Sequence, residues 1–279
     1  MRFGFHISIA GGFANVHQRA EELGCDTIQL FTRSPRGWAA PKLDENDVAK
    51  FRRDTRTSKI CPVFAHAPYL PNLAAVDPEI RKLSIAAITD DLKRCAILGI
   101  KFLVVHVGKA LGADEKVAFK KVADNLNRIL KIAENQVMVL LENTAGMGSE
   151  IGYRFEQIAE IIDLVEQRDR IGVTLDTAHS FEAGYDWRSR PTVDETLRHF
   201  DRTIGMGRLY LIHLNDSKTP FDSRVDRHWH IGKGEIGIEG FKVIVNHPLL
   251  KKLPAIMETP RKSIKEDLEN MRTVRSITK

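Results

Sequence analysis

Cysteine is scarce in this chain of 279 residues. There are three, Cys25, Cys61 and Cys95, and no Cys-x-x-Cys pair. That odd count argues against a disulfide framework, and buried free thiols in a reducing compartment are expected. Long apolar runs are also missing. No window approaches the roughly twenty apolar residues of a membrane span. The opening MRFGFHISIAGG is broken by a histidine and lacks the apolar region of a signal peptide. The expected location is cytoplasmic. There is no P-loop, and the glycines of MGSEIGYRF have the wrong spacing for a dinucleotide fingerprint. Ser180 follows His179 without an elbow motif, so a Ser/His/Asp nucleophile is not indicated. No linker rich in proline, glycine and serine divides the chain, which reads as a single domain over residues 1–279. Charge of one sign is not dominant either. Lysine and arginine number 42 against 37 acids, for a formal +5, by itself a weak pointer to nucleic acid.

What is present is a repeated grammar. Eight β-rich apolar runs recur: Phe3 to Ile7, Thr27 to Phe31, Pro62 to His66, Phe102 to His106, Val137 to Leu141, Ile171 to Asp176, Leu209 to His213 and Ala255 to Thr259. Between them lie helix-like patterns such as Pro78 to Leu98, where a proline and an acid open the helix and Gly99 ends it. Strands apolar on both faces, separated by amphipathic helices, imply a parallel sheet covered by helices. Eight such units in this length favour an α/β closed TIM (β/α)8 barrel, with the active site at the C-terminal ends of the strands. The polar interval from Asn215 to Gly237 reads as a long loop over that face.

Histidine is plentiful, with ten in the chain. The strand-like runs close on His6, Phe31, His66, His106, Glu142, Asp176, His213 and Glu258. His179 lies three positions after Asp176, and Asp226 and His228 sit in the long loop. Any one of these histidines could simply cap a strand. The acids are harder to excuse, because Glu142, Asp176 and Glu258 each follow an apolar run, and a carboxylate beside a core needs a partner or a cation. Converging at one mouth, five imidazoles and four carboxylates suit two or three divalent ions. Zinc fits this donor set, with manganese or iron as alternatives. Several close metals favour phosphoester hydrolysis. Spacing leaves open whether His228 or His230 is the ligand. His6 is expected at the pocket floor behind the ligands. His17 and His199 read as packing or surface residues. Around the rim, Arg33 and Arg36 are candidates for phosphate contact. Trp38, Tyr69, Trp187, Phe221 and Trp229 are candidates to stack on bases or to pin loops.

These residues carry a recognisable pattern. The runs GFHISIAGG (4–12), FAHAPYLPNLA (64–74), HVG (106–108), LLENTAG (140–146), GVTLDTAHSFEAGYD (172–186), HLNDSK (213–218), DRHWHIGKGEIG (226–237) and METP (257–260) span nearly the whole chain in order. The chain closely resembles the endonuclease IV family of apurinic/apyrimidinic (AP) endonucleases. The resemblance implies three zinc ions. One would be held by His66, His106 and a bridging Glu142, and a second by Glu142, Asp176, His213 and Glu258. The third would be held by His179, Asp226 and His228. It implies incision of duplex DNA on the 5′ side of an abasic site, removal of 3′ blocking groups, Glu142 as the catalytic carboxylate, and no nucleotide cofactor. DNA contacts are expected from Arg33, Arg36, Trp38, Tyr69, Phe221 and Arg227, on a monomer with no membrane partner. The chain departs from the family pattern at Ala178, at the rim from Arg33 to Trp38, at Phe221-Asp222 and at Met147.

The main competing reading is a sugar isomerase or epimerase on the same barrel, which also places Glu, Asp and His around divalent metals. His179, Asp226 and His228 argue against it, because they supply a third metal set, and so do the rim arginines. A small-substrate phosphoesterase and a non-catalytic nucleic-acid binder are further alternatives.

Overall fold

The apolar runs form strands because nearly every residue in them is buried on one face or the other. The computed structural model describes residues 1–279. Its strands are β1 Arg2–Ile7, β2 Thr27–Phe31, β3 Val63–His66, β4 Phe102–His106, β5 Met138–Glu142, β6 Ile171–Asp176, β7 Leu209–His213, β8 Asp216–Ser217, β9 His228–Trp229 and β10 Pro254–Met257. Eight of them close a parallel barrel in the order β1-β10-β7-β6-β5-β4-β3-β2. The helices are α1 Val16–Glu22, α2 Glu45–Thr57, α3 Pro78–Leu98, α4 Glu115–Ala133, α5 Phe155–Leu164, α6 Thr177–Glu182, α7 Arg190–Thr203, α8 Gly237–Asn246 and α9 Ile264–Ser276. The expected (β/α)8 barrel is the fold observed. No helix is long and apolar enough to cross a membrane.

Local chemistry explains the helix ends. Asp77 caps α3 by accepting from the backbone of Glu79 and Ile80 at 2.8 and 3.1 Å. Pro78 fills the first turn, and Gly99 ends the helix at φ 77°, a left-handed conformation glycine adopts without strain. Removing the Asp77 cap would cost about 1 kcal/mol. On α4 the buried stripe of Phe119, Val122, Leu126, Ile129 and Leu130 recurs at helical spacing and joins the core between barrel and helices.

The barrel interior holds a separate apolar plug of Phe64, Val104, Leu140, Leu211 and Ile256. Gly172 of β6 makes room there, because a Cβ would meet the Tyr210 ring at 2.6 Å and the Leu140 side chain at 2.7 Å. Side chains on a strand alternate between faces. The inward residue two positions beyond each plug residue is therefore His66, His106, Glu142, His213 and Glu258 in turn. The polar layer rests directly on the apolar one, and register sets neighbours side by side. His106 pairs with Glu142, and Asp176 with His213.

Four features differ from expectation. A short helix, α6, follows β6 at once, so His179 sits on a rigid turn. The interval from Asn215 to Gly237 is no simple loop, since β8 and β9 pair antiparallel within it. Its first residues, Asn215, Asp216 and Ser217, are fully buried despite their polarity. Asp216 makes this tolerable by accepting from the backbone of Ser217, Gly234 and Ile236. Trp187 is buried and donates to Ser180 Oγ at 2.8 Å, so it pins a loop and cannot stack on a base. Cys25 and Cys95 are buried, whereas Cys61 is exposed.

Candidate metal centre at the barrel mouth

Glu142 is the hub. It ends β5, is fully buried, and turns its two oxygens in different directions. Oε2 lies 3.1 Å from both His66 Nε2 and His106 Nε2. Oε1 lies 2.8 Å from His213 Nδ1 and 3.5 Å from His179 Nδ1. His213 Nδ1 is also 3.3 Å from Glu258 Oε2 and 3.9 Å from Asp176 Oδ2. On the far side, His228 Nε2 is 3.5 Å from Asp176 Oδ2. Asp226 Oδ1 stands 3.4 Å from His179 Nε2 and 3.8 Å from His228 Nε2.

Three groups of donor atoms are tight enough to hold a metal ion. They are His66, His106 and Glu142; then Glu142, Asp176, His213 and Glu258; then Asp176, His179 and His228. The first two sets coincide with the partition implied by the family resemblance. The third contains Asp176 where the resemblance implies Asp226, and Asp226 Oδ1 also approaches both imidazoles, His179 Nε2 at 3.4 Å and His228 Nε2 at 3.8 Å. His230 points elsewhere, with Nδ1 at 3.2 Å from the Asn270 amide.

Proton bookkeeping supports metal binding. A backbone carbonyl only accepts, so an imidazole nitrogen that bonds one must carry the hydrogen. His66 Nδ1 bonds the Ala67 carbonyl at 2.6 Å, His179 Nδ1 that of Asn143 at 3.0 Å, and His228 Nδ1 that of Glu258 at 3.2 Å. In the neutral ring each Nε2 is then the lone-pair atom, and each faces the cluster. The Nε2 atoms of His179 and His228 are 3.1 Å apart. Two facing lone pairs repel unless a proton or a metal lies between them.

The electrostatics agree. Burial alone would lower the His213 pKa, but Glu258 and Glu142 overturn this and raise it to about 9. Burial opposes ionised Glu142 too, yet His213 and His106 hold its pKa well below the usual carboxylate range. His179 is raised by Asp176 and Asp226 against its own desolvation. The pocket thus demands positive charge among its carboxylates, which zinc in a mixed imidazole–carboxylate shell supplies.

A family model described as a xylose isomerase-like TIM barrel matches residues 17–274. A probable endonuclease 4 from Chloroflexus aggregans is 42% identical over 280 residues, spanning 100% of this chain and 98% of its own length. The crystal structure of endonuclease IV from Thermus thermophilus has a TM-score of 0.90 at 37% identity, covering 99% of this chain and 98% of that one. The chain belongs to the endonuclease IV family. A D-tagatose 3-epimerase-like structure has a TM-score of 0.74 at 20% identity, covering 99% of this chain and 97% of that one, and shares the barrel alone.

Among endonuclease IV residues expected to touch DNA, Arg33 is a correction. It is only 2% exposed. Its Nε and Nη2 sit 3.0 and 3.1 Å from the two oxygens of buried Asp91, and Nη1 bonds the Trp38 carbonyl. Desolvation raises the Asp91 pKa to about 6 even with Arg33 beside it. This arginine holds the rim together and has no free face for a phosphate. Arg36 is exposed, and Trp38 half-buried. Tyr69 is 67% exposed and stands over the site, its ring 5.8 to 6.0 Å from those of Phe31, His66 and His106. Phe221 packs edge-on to Phe181 beneath the Arg188 guanidinium. Arg227 is exposed, its guanidinium on the Asp226 carbonyl. His6 lies beside Glu258, Nδ1 to Oε1 3.4 Å, with its ring against Phe31.

Sequence reasoning missed the polar residues that hold the ligands in place. Asn143 receives the Asp176 backbone N–H at 2.7 Å. Asn215 donates to Asp176 Oδ2 at 2.7 Å and accepts from the Glu258 backbone. Buried Glu182 accepts from Ser217 Oγ, Thr219 Oγ1 and the Arg227 backbone. The available signal was position: Asn143 directly follows a ligand, and Asn215 lies two residues after one.

Proposed function

We infer that this chain is a metal-dependent AP endonuclease of deoxyribonuclease IV type, working in base excision DNA repair. The substrate we propose is duplex DNA containing an abasic site or a blocked 3′ end. The phosphodiester 5′ to the lesion is hydrolysed: water adds to phosphorus, the bond to the 3′ oxygen breaks, and that oxygen takes a proton. The products are a 3′-hydroxyl and a 5′-deoxyribose phosphate. We place the enzyme in the cytoplasm, as a monomer of one domain over residues 1–279.

The observation that carries this reading is the convergence of imidazole nitrogens and carboxylate oxygens in three adjoining sets, in a chain alignable end to end with endonuclease IV. His66, His106, Glu142, Asp176, His179, His213, Asp226, His228 and Glu258 would hold three zinc ions, with manganese or iron an alternative in part. When bound, such ions supply Lewis acidity, an activated water and stabilisation of the leaving oxygen. The chain's own residues do the rest. Backbone carbonyls and asparagines keep the ligands aimed, so little reorganisation accompanies reaction. Glu142 joins two sets through its two oxygens and keeps them in fixed relation. Tyr69 presents a flat, exposed ring beside the site for a sugar or base. Arg36 and Arg227 offer charge to flanking phosphates.

Replacing Glu142 with glutamine removes the shared anion while keeping shape. Cleavage of an abasic duplex should fall about a thousandfold or more in kcat/KM, with DNA binding retained in gel shift. Near-normal turnover would sink the assignment.

A further inference from the structure

We propose that Gln29 is a positioning residue that selects which atoms of His213 and Glu258 face the central ligand set; this rests on reading the three sets as metal sites. Gln29 lies in β2, fully buried. A carboxylate oxygen can only accept, so the atom 2.6 Å from Glu258 Oε1 must be the amide nitrogen of Gln29. The amide oxygen then points the other way, 2.8 Å from His213 Nε2, and there it can only accept. His213 therefore carries a hydrogen on Nε2, and its Nδ1 is the atom turned to Glu142 Oε1 at 2.8 Å and Glu258 Oε2 at 3.3 Å.

This is the reverse of His66, His179 and His228, which turn Nδ1 to a carbonyl and Nε2 inward. No backbone carbonyl binds the outward nitrogen of His213, and the Gln29 side chain takes that place. The same amide engages Glu258 Oε1, so Oε2 is the oxygen left facing His213. One planar group thus ties β2 to β7 and β10 and sets two ligands at once. His6 Nδ1 also approaches Glu258 Oε1, at 3.4 Å, but it touches only one of the two. An apolar replacement of similar length would leave the His213 N–H buried without an acceptor and its tautomer unselected.

The test compares wild type with Gln29→Met. Zinc content is counted by mass spectrometry of the loaded protein, and zinc release to a competing chelator is titrated. In metal-free protein held above about pH 9, where the His213 ring loses its second proton, long-range proton–nitrogen spectra with labelled histidine rings report whether Nε2 keeps a hydrogen-bonded proton. Wild type is expected to hold three zinc ions and to show that proton. Gln29→Met should keep two ions at wild-type affinity, release the third about 10- to 100-fold more readily, and lose the protected Nε2 signal. Its kcat should fall with KM little changed. Three ions held with wild-type affinity in the variant, or an inward Nε2 in wild-type His213, overturns the proposal. Wild type without zinc would overturn the metal reading instead, and the ring spectra would still decide the part of Gln29. If Gln29→Met does not fold, Gln29→Asn keeps the amide one methylene short and carries the same expectation.

Discussion

Arg33 and Glu142 are both charged and both buried, and burial acts differently on them. Glu142 sits among imidazoles at a site built to receive cations. Arg33 is matched by one carboxylate, Asp91, and has no further charge to offer. Arg33→Met should therefore act on stability, not on substrate. It leaves Asp91 buried without its partner, a loss of about 3–5 kcal/mol, read as a fall in the urea midpoint. The folded variant should bind abasic DNA as tightly as wild type, and a selective loss of DNA affinity would return Arg33 to the binding surface. The contrast explains what could be read beforehand. An acid that closes an apolar run, as Glu142, Asp176 and Glu258 do, advertises a desolvation problem within its own segment. Arg33 looked like rim charge because its partner comes from α3, 58 residues away. Gln29 was silent because an uncharged amide inside a strand raises no such alarm, although it meets His213 and Glu258 across the barrel.

At the scale of elements, the strand–helix alternation was legible because each strand is a dense apolar run and each barrel helix a stripe of period near four. The short α6 was not, since six residues give no period to read. Nor was the β8–β9 hairpin, whose buried residues are polar. Glu182 of α6 joins these two unread pieces. Its carboxylate collects Ser217, Thr219 and the Arg227 backbone, and so fixes the segment that brings Asp226 and His228 to the third set. Burial raises the Glu182 pKa, but hydrogen bonds to Ser217 and the Arg227 backbone oppose the rise. Glu182→Ala should destabilise the fold by about 1–3 kcal/mol through donors left unpaired. It should also weaken retention of one zinc ion of three in chelator titration. Unchanged retention of all three would show that the hairpin is held by other means.

For the whole molecule, the mouth of the barrel matters more than the formal +5. Glu142, Asp226 and Glu258 are held below the usual carboxylate range, against their own burial, by the histidines around them. The sign of the pH dependence follows. His213 is raised to about 9, so in metal-free protein its attraction to Glu258 and Glu142 contributes fully below the ordinary histidine value. That contribution is lost as pH rises through about 9. Zinc must displace those protons, so zinc affinity in a metal-buffered titration should climb with pH and level off near 9. A flat dependence between pH 6 and 9 would mean the imidazoles are already neutral. The same face, once charged by metal, becomes the phosphate-attracting surface that the net charge only hinted at.

The central claim is that this barrel mouth hydrolyses DNA at abasic sites through its metal sets. The most direct measurement is cleavage of an oligonucleotide duplex bearing one abasic site, by zinc-replete and by chelator-stripped protein, with analysis of both new ends. The account predicts zinc-dependent incision 5′ to the lesion, leaving a 3′-hydroxyl and a 5′-deoxyribose phosphate, lost on stripping and restored by zinc. Intact duplex in the presence of fully zinc-loaded, folded protein would contradict it.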